Sequence, residues 1–363
     1  MIYAGCDLHK QSITVCLVDA ARNVLARKTL PCRDEQAILT FFEQAAGADP
    51  EGLQIVVEAT AGYEWFLNLV EPHARRVLLA HPGKLRVIAE STRKSDRLDA
   101  QVLAEFLAAD MIPTSYRPTP RQREHRRLVR QRDRVRRRLA SVKVRIRRLL
   151  SDHNADLPSL FNLEGLAWLR ELAGEKGSGG ERRRDRAGSR LSASDRFCLR
   201  QFLAEFDFGS EQLAQAEAQL RTFAQAGPAV ERERRELLRS IPGVGFVTAE
   251  VVLAEIADVW RFGSQKQVVA YAGLAPGQRE SGGRSKELHI EKNGSKLLRW
   301  VVVEAAWQLV RHSQRWNGIY TRLKTRLKAK KAIVAVARRL LCLITAILKT
   351  GRPYSAAYAP GVG

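Results

Sequence analysis

Between Arg121 and Leu150 the chain carries thirteen arginines and one lysine against only Glu124 and Asp133, a net +12 in thirty residues. In the same stretch Leu128, Val135, Leu139, Val142, Ile146 and Leu149 recur at steps of seven, four, three, four and three. That is the a/d stripe of a short coiled coil. Apolar residues at this spacing line one side of a helix, so the segment is expected as one long helix with an apolar seam and a cationic flank. Arg132 falls on a seam position and weakens the coil at that end. The expected use is double: the seam pairs with a partner helix in a homodimer or tetramer, and Arg126, Arg130 and Arg137 touch phosphates. A solvated basic helix that packs on its own domain is the alternative.

The excess is global. Across 363 residues, 61 Lys plus Arg face 39 Asp plus Glu, a formal charge of +22 with a pI near 10.4. A 45% hydrophobic fraction is an ordinary globular supply. A surplus of this size calls for a polyanion, and nucleic acid is the first candidate. A membrane surface competes less well. The N-terminus MIYAGCDLHK has no signal-peptide pattern, and the most apolar window, 332–348, is broken by Arg338-Arg339. The five cysteines, Cys6, Cys16, Cys32, Cys198 and Cys342, are odd in number and form no CxxC pair. They suit a reducing cytoplasm and exclude a disulfide framework or a zinc finger.

Ahead of the basic helix, Ile2–Asp7, Ile13–Asp19, Val24–Thr29, Leu53–Val57 and Arg76–Ala80 are short apolar or alternating runs, hence five strands. Asp34–Ala46 and Glu64–Val70 have helical spacing. The sum is a mixed sheet with flanking helices, an α/β domain over 1–117. A basic coiled-coil and helical region is expected over 118–226, with a Gly/Ser/Arg-rich flexible insertion at 174–190. A mainly α domain is expected over 227–363. In it, Ile241-Pro-Gly-Val-Gly245 looks like a helix-hairpin-helix turn, whose Gly243 and Gly245 would let backbone approach a phosphate. A plain tight turn is the bland alternative. Residues 272–283, rich in Gly and Pro, are expected as a loop.

Four carboxylates stand where chemistry is possible. Asp7 ends the first strand, Glu58 ends the fourth, and Asp96 and Asp99 lie three apart, so that on a helix they face the same side. Oxygen ligands so placed suit magnesium, which can assist phosphodiester displacement. Each acid alone has a commoner fate as a turn, cap or ion-pair residue. Their order along the chain matches the ribonuclease-H-like arrangement. His9 and Lys10 are candidates to contact a scissile phosphate, with a plain hydrogen bond to a strand end as the alternative for His9.

Gly5-x-Asp7-x-His9-Lys10, Val57-Glu58-Ala-Thr60 with Gly62-Tyr63, and Lys94-Ser-Asp96-x-x-Asp99-Ala100 resemble the DEDD-type transposases typified by insertion sequence one-ten, relatives of the Piv invertase. Ile241-Pro-Gly-Val-Gly245, Tyr271-Ala-Gly-Leu-Ala-Pro276 and Glu280-Ser-Gly-Gly283 resemble the family's second signature. The resemblance implies a RuvC-like N-terminal domain, a coiled-coil segment and a C-terminal transposase domain. It implies a recombinase that moves an insertion sequence between DNA sites under the guidance of a structured RNA encoded by the element. It also implies a magnesium tetrad on Asp7, Glu58, Asp96 and Asp99, and a nucleophilic serine on Ser281, flanked by Arg279 and Arg284 for the phosphate. Some relatives carry two adjacent hydroxyl residues where this chain has Glu280-Ser281. A RuvC-type structure-specific nuclease needs the acids without the serine. An architectural nucleic-acid binder needs neither.

Overall fold

The computed structural model describes residues 1–59, 62–88, 96–174, 191–281, 284–290 and 294–355, with backbone alone for 86–88, 96–98, 278–281 and 284–289. Its contacts divide the chain into two units, Met1–Arg117 and Pro118–Gly363.

In the first unit, β1 (Ile2–Leu8), β2 (Ser12–Val18) and β3 (Val24–Pro31) follow one another through tight turns. One turn closes through the His9 N–H donating to the Ser12 carbonyl, the other through the Asn23 backbone and side chain donating to Asp19. Connections this short force antiparallel pairing. The chain then crosses over through α1 (Glu35–Gly47), started by an Asp34 cap on the Ala37 N–H, to β4 (Leu53–Glu58). A second crossover through α2 (Glu64–Val70) leads to β5 (Arg76–Ala80). Crossovers of this length set β4 parallel to β1 and β5 parallel to β4, giving the order β3-β2-β1-β4-β5. All five expected strands are present within two residues of their expected ends.

Both faces of this sheet are covered. Ala4, Cys6, Ile13, Val15, Ile55 and Val57 pack with Ile38 and Phe42 of α1 and Phe66 and Leu67 of α2. On the other face lies α4 (Asp96–Ala108), which follows α3 (Pro82–Ile88). It sets Leu103 and Leu107 on Val56, and Ala100 and Ala104 on Cys16 and Val18. Gly5 makes this approach possible, since a Cβ there would lie 2.1 Å from the Ala100 carbonyl oxygen and 2.4 Å from the Ala104 nitrogen. The absence of a side chain lets the helix backbone rest on the strand.

The second unit is built on α5 (Pro120–Asp152), opened by a Thr119/Gln122 capping box with Pro120 in the first turn. Its 33 residues give about 50 Å of helix at 1.5 Å per residue. Beside it runs α7 (Ala193–Gln225), after α6 (Leu163–Leu172). Arg121 meets Phe223, Arg132 meets Glu217 and Arg145 meets Glu205, so α5 and α7 are antiparallel. The seam that the spacing assigns to a partner chain is therefore filled by the chain itself. Val129, Val135, Leu139, Val142, Ile146 and Leu150 are buried, and Leu128 and Leu149 flank them half-buried. The period of the stripe specifies that something covers it, and α7 does. Arg132, the charged seam position, is 13% exposed and answered by Glu217 at 2.6 Å. The expected insertion at 174–190 lies outside the described residues apart from Gly174.

Beyond α7 come α8 (Ala229–Arg239), α9 (Phe246–Ile256), α10 (Gln265–Tyr271), the hairpin β6 (Pro276–Ser281) and β7 (Arg284–Ile290), then α11 (Lys296–His312), α12 (Gln314–Arg326) and α13 (Ala329–Thr350). Their core joins Val252, Val268, Val302, Leu309, Leu340 and Ile344 with Val129 of α5 and Leu220 of α7. One element departs from expectation. The loop expected at 272–283 contains β6, which pairs antiparallel with β7 from Pro276↔Ile290 to Ser281↔Arg284.

Candidate active site

The site is set by register. β1 and β4 pair in parallel up to Cys6↔Val57, and the next position on each strand is Asp7 and Glu58. Side chains alternate along a strand, so Asp7 shares the face of Gly5, and Glu58 that of Val56. That is the face on which α4 lies. Two carboxylates thus stand side by side at the carboxyl ends of neighbouring parallel strands.

α4 runs back along β1. Its Ala100 and Ala104 sit against Gly5, while Leu103 packs with Val56 and Tyr3. Two residues along a strand and four along a helix both cover about 6 Å. The first turn of α4, which carries position 96, is accordingly placed over the end of β1 that carries Asp7. Asp99 is described and exposed, while the side chain of Asp96 lies outside the described residues. Among the described residues, no three His, Cys, Asp or Glu side chains gather into a metal cluster.

Asp7 has a 13% exposed side chain, and its Oδ2 is 3.0 Å from His9 Nε2. His9 and Lys10 occupy the β1–β2 turn and face solvent. Glu58 is half-buried, and among the described residues it has no hydrogen-bond or ion-pair partner. An unneutralised carboxylate beside a second one is electrostatically costly without a cation. The donor set, hard carboxylate oxygens open on one side, fits magnesium, which keeps several waters and takes one or two protein carboxylates. The neighbouring thiols are poor nucleophiles, because burial pushes the Cys6 thiol well above the ordinary thiol range and raises that of Cys16.

In the second unit, Ser281 is the last residue of β6, paired with Arg284 beside the hairpin turn. Arg279 sits two positions earlier, opposite Lys286. The side chains of Arg279, Ser281 and Arg284 lie outside the described residues. Gly243 has φ +83°, and a Cβ there would lie 2.7 Å from Gln308 Cβ and 2.9 Å from the Leu309 nitrogen of α11. The packing of α11 already requires that glycine. Gly245, by contrast, is exposed at the start of α9 with open space beside it.

The arginines of α5 turn inward more than their number suggests. Arg126 donates to the Ala254 and Glu255 carbonyls at the end of α9. Arg130 forks onto the fully buried Glu255 at 2.8 and 3.0 Å. Arg137 holds Asp133 at 2.9 Å, and Arg136 both pairs with Asp133 and covers the Trp300 ring. These bonds fasten α5 to α9 and α11. Sequence reasoning also missed a buried cluster. Glu250 on α9 is paired by Arg235, and His125 Nε2 lies 2.9 Å from its Oε2 with the N–H out of line for a hydrogen bond.

Comparison with known proteins gives this geometry its class. Residues 4–155 match a DEDD-type model described as "Transposase", and residues 235–321 match the "Transposase IS116/IS110/IS902 family". The transposase for insertion sequence element IS1111A of Coxiella burnetii is 26% identical over 96% of this chain and 90% of its own. The transposase for insertion sequence element IS1328 of Yersinia enterocolitica is 25% identical over 97% of this chain and 98% of its own. The pilin gene-inverting protein of Moraxella bovis is 24% identical over 97% of both chains. These are DNA-rearranging proteins, and the two matched regions span the strand-end carboxylates and the helices around Gly243. The chain belongs to the IS110-type transposase family, whose substrate is DNA and whose work is cutting and rejoining it.

Proposed function

We propose that this transposase cuts strands at the ends of β1 and β4, with Asp7, Glu58, Asp96 and Asp99 as the metal-holding acids of a RuvC-like domain and Ser281 as the nucleophile. The observation that carries the reading is the register of β1 and β4, which leaves Asp7 and Glu58 adjacent on one face. The strand order β3-β2-β1-β4-β5 with two antiparallel and two parallel pairings supports the ribonuclease-H-like fold. Magnesium, held by these carboxylates, would supply charge stabilisation for the phosphodiester undergoing displacement.

The remaining steps belong to the chain's own groups. His9 orients Asp7 and faces the incoming strand, and Lys10 at the turn tip adds a cation for a phosphate. Ser281 Oγ forms a bond to phosphorus as the bond to a DNA oxygen breaks, and the departing hydroxyl takes up the proton that serine loses. The phosphoserine ester keeps the energy of the broken bond for rejoining. No external oxidant or water is consumed. A structured RNA encoded by the element is the proposed guide, and basic surface outside the strand-end site is where its phosphates would be held.

Binding of Mn2+ to the full chain, followed by electron paramagnetic resonance, tests the acids directly. Wild type should bind it, and Glu58→Gln should weaken binding about tenfold or more by removing a charged ligand. Equal binding by both proteins would contradict the site.

A further inference from the structure

We propose that the corner joining α12 to α13 is a docking surface for the phosphodiester backbone of duplex DNA. Arg322, Lys324 and Arg326 end α12, and Lys328, Lys330 and Lys331 begin α13. All six are exposed, and among the described residues none of their side chains has a hydrogen-bond or ion-pair partner. After Glu304 the sequence contains no Asp or Glu at all. Nothing in this part of the chain neutralises the corner.

Local stability does not explain these charges. Cations in the first turn of α13 oppose the helix dipole, and Arg322 and Arg326 are like charges one turn apart. Each arrangement costs a few tenths of a kcal/mol or more. The contrast with α5 sharpens the point. There, Arg121, Arg130, Arg132 and Arg145 are spent on Glu231, Glu255, Glu217 and Glu205. The denser basic segment is largely an internal fastener, and the sparser one keeps its cations for a partner. Lysine and arginine at a solvent-facing corner offer point charges to phosphates without selecting a base sequence.

The choice of duplex DNA rests on the transposase reading, but its test needs no metal and no strand cutting. Affinity of the full chain for a random-sequence duplex is measured between about 50 and 200 mM salt. In Lys328→Gln/Lys330→Gln/Lys331→Gln the log–log salt slope should fall by about 3, near 0.9 per lost phosphate contact, with a melting midpoint that is unchanged or slightly raised. Arg132→Gln, which breaks the Glu217 pair, should lower the midpoint and leave the slope. Asp7→Asn should keep the full slope even where cutting is lost, which separates this surface from the strand-end site. An unchanged slope in the triple variant overturns the proposal. So does a loss confined to an RNA hairpin of equal length while duplex DNA binds as before.

Discussion

Asp7→Asn should slow strand cutting by about a thousandfold or more while duplex DNA binds as tightly as to wild type, or slightly tighter. The substitution keeps the shape of the side chain and removes a charge from the pair that Asp7 forms with Glu58. Metal-assisted charge stabilisation is worth several kcal/mol, and each 1.36 kcal/mol is a factor of ten in rate. Binding is held elsewhere by cations, so losing one carboxylate near the strand removes only repulsion. Single-turnover cleavage of a duplex carrying an element end, alongside a filter-binding titration, separates the two effects. Parallel loss of both would place Asp7 in folding or binding.

Glu250→Ala should destabilise the helical unit by about 3–5 kcal/mol, the cost of leaving a buried partner charge uncompensated. Glu250 is fully buried, and Arg235, itself 6% exposed, donates to it from α8. Burial alone pushes the Glu250 carboxyl up, but His125 and Arg235 together outweigh it and hold the group below its ordinary 4.5. A carboxyl depressed in the folded state contributes stability above the unfolded value and loses it as pH falls through the folded one. Wild-type unfolding midpoints should therefore decline as pH drops below about 4.5, and that part of the acid sensitivity should vanish in Glu250→Ala. Replacing Arg235 and Glu250 together by leucine and methionine should cost far less than Glu250→Ala alone. Chemical denaturation at pH 7 and pH 4 reads all three.

The strands of the first unit were legible because each is a short apolar run bounded by turn residues, and Asp34 at a helix start is a strong cap. The adjacency of Asp7 and Glu58 was legible only as order along the chain. Their shared face depends on the β1/β4 register, which no local pattern states. The heptad stripe announced burial but not its partner, since period 3.5 is satisfied equally by a second chain or by α7. Charge misled in the same way. Thirteen arginines suggest a phosphate track, yet the acids that absorb many of them sit about 60 to 130 residues away, on α7, α8 and α9. Ser281 was flagged by resemblance, and the Gly-Gly pair after it carried an unread hairpin signal.

The most direct measurement is a search for protein joined covalently to DNA. Wild-type protein is incubated with Mg2+ and end-labelled duplex, denatured and digested, and the labelled peptide is mapped by mass spectrometry. The account predicts a phosphoester on the peptide that contains Ser281, absent in both Ser281→Ala and Asp7→Asn. Strand cutting by Ser281→Ala at the wild-type rate with no adduct in either protein would contradict it, leaving the acids to act as a RuvC-type nuclease.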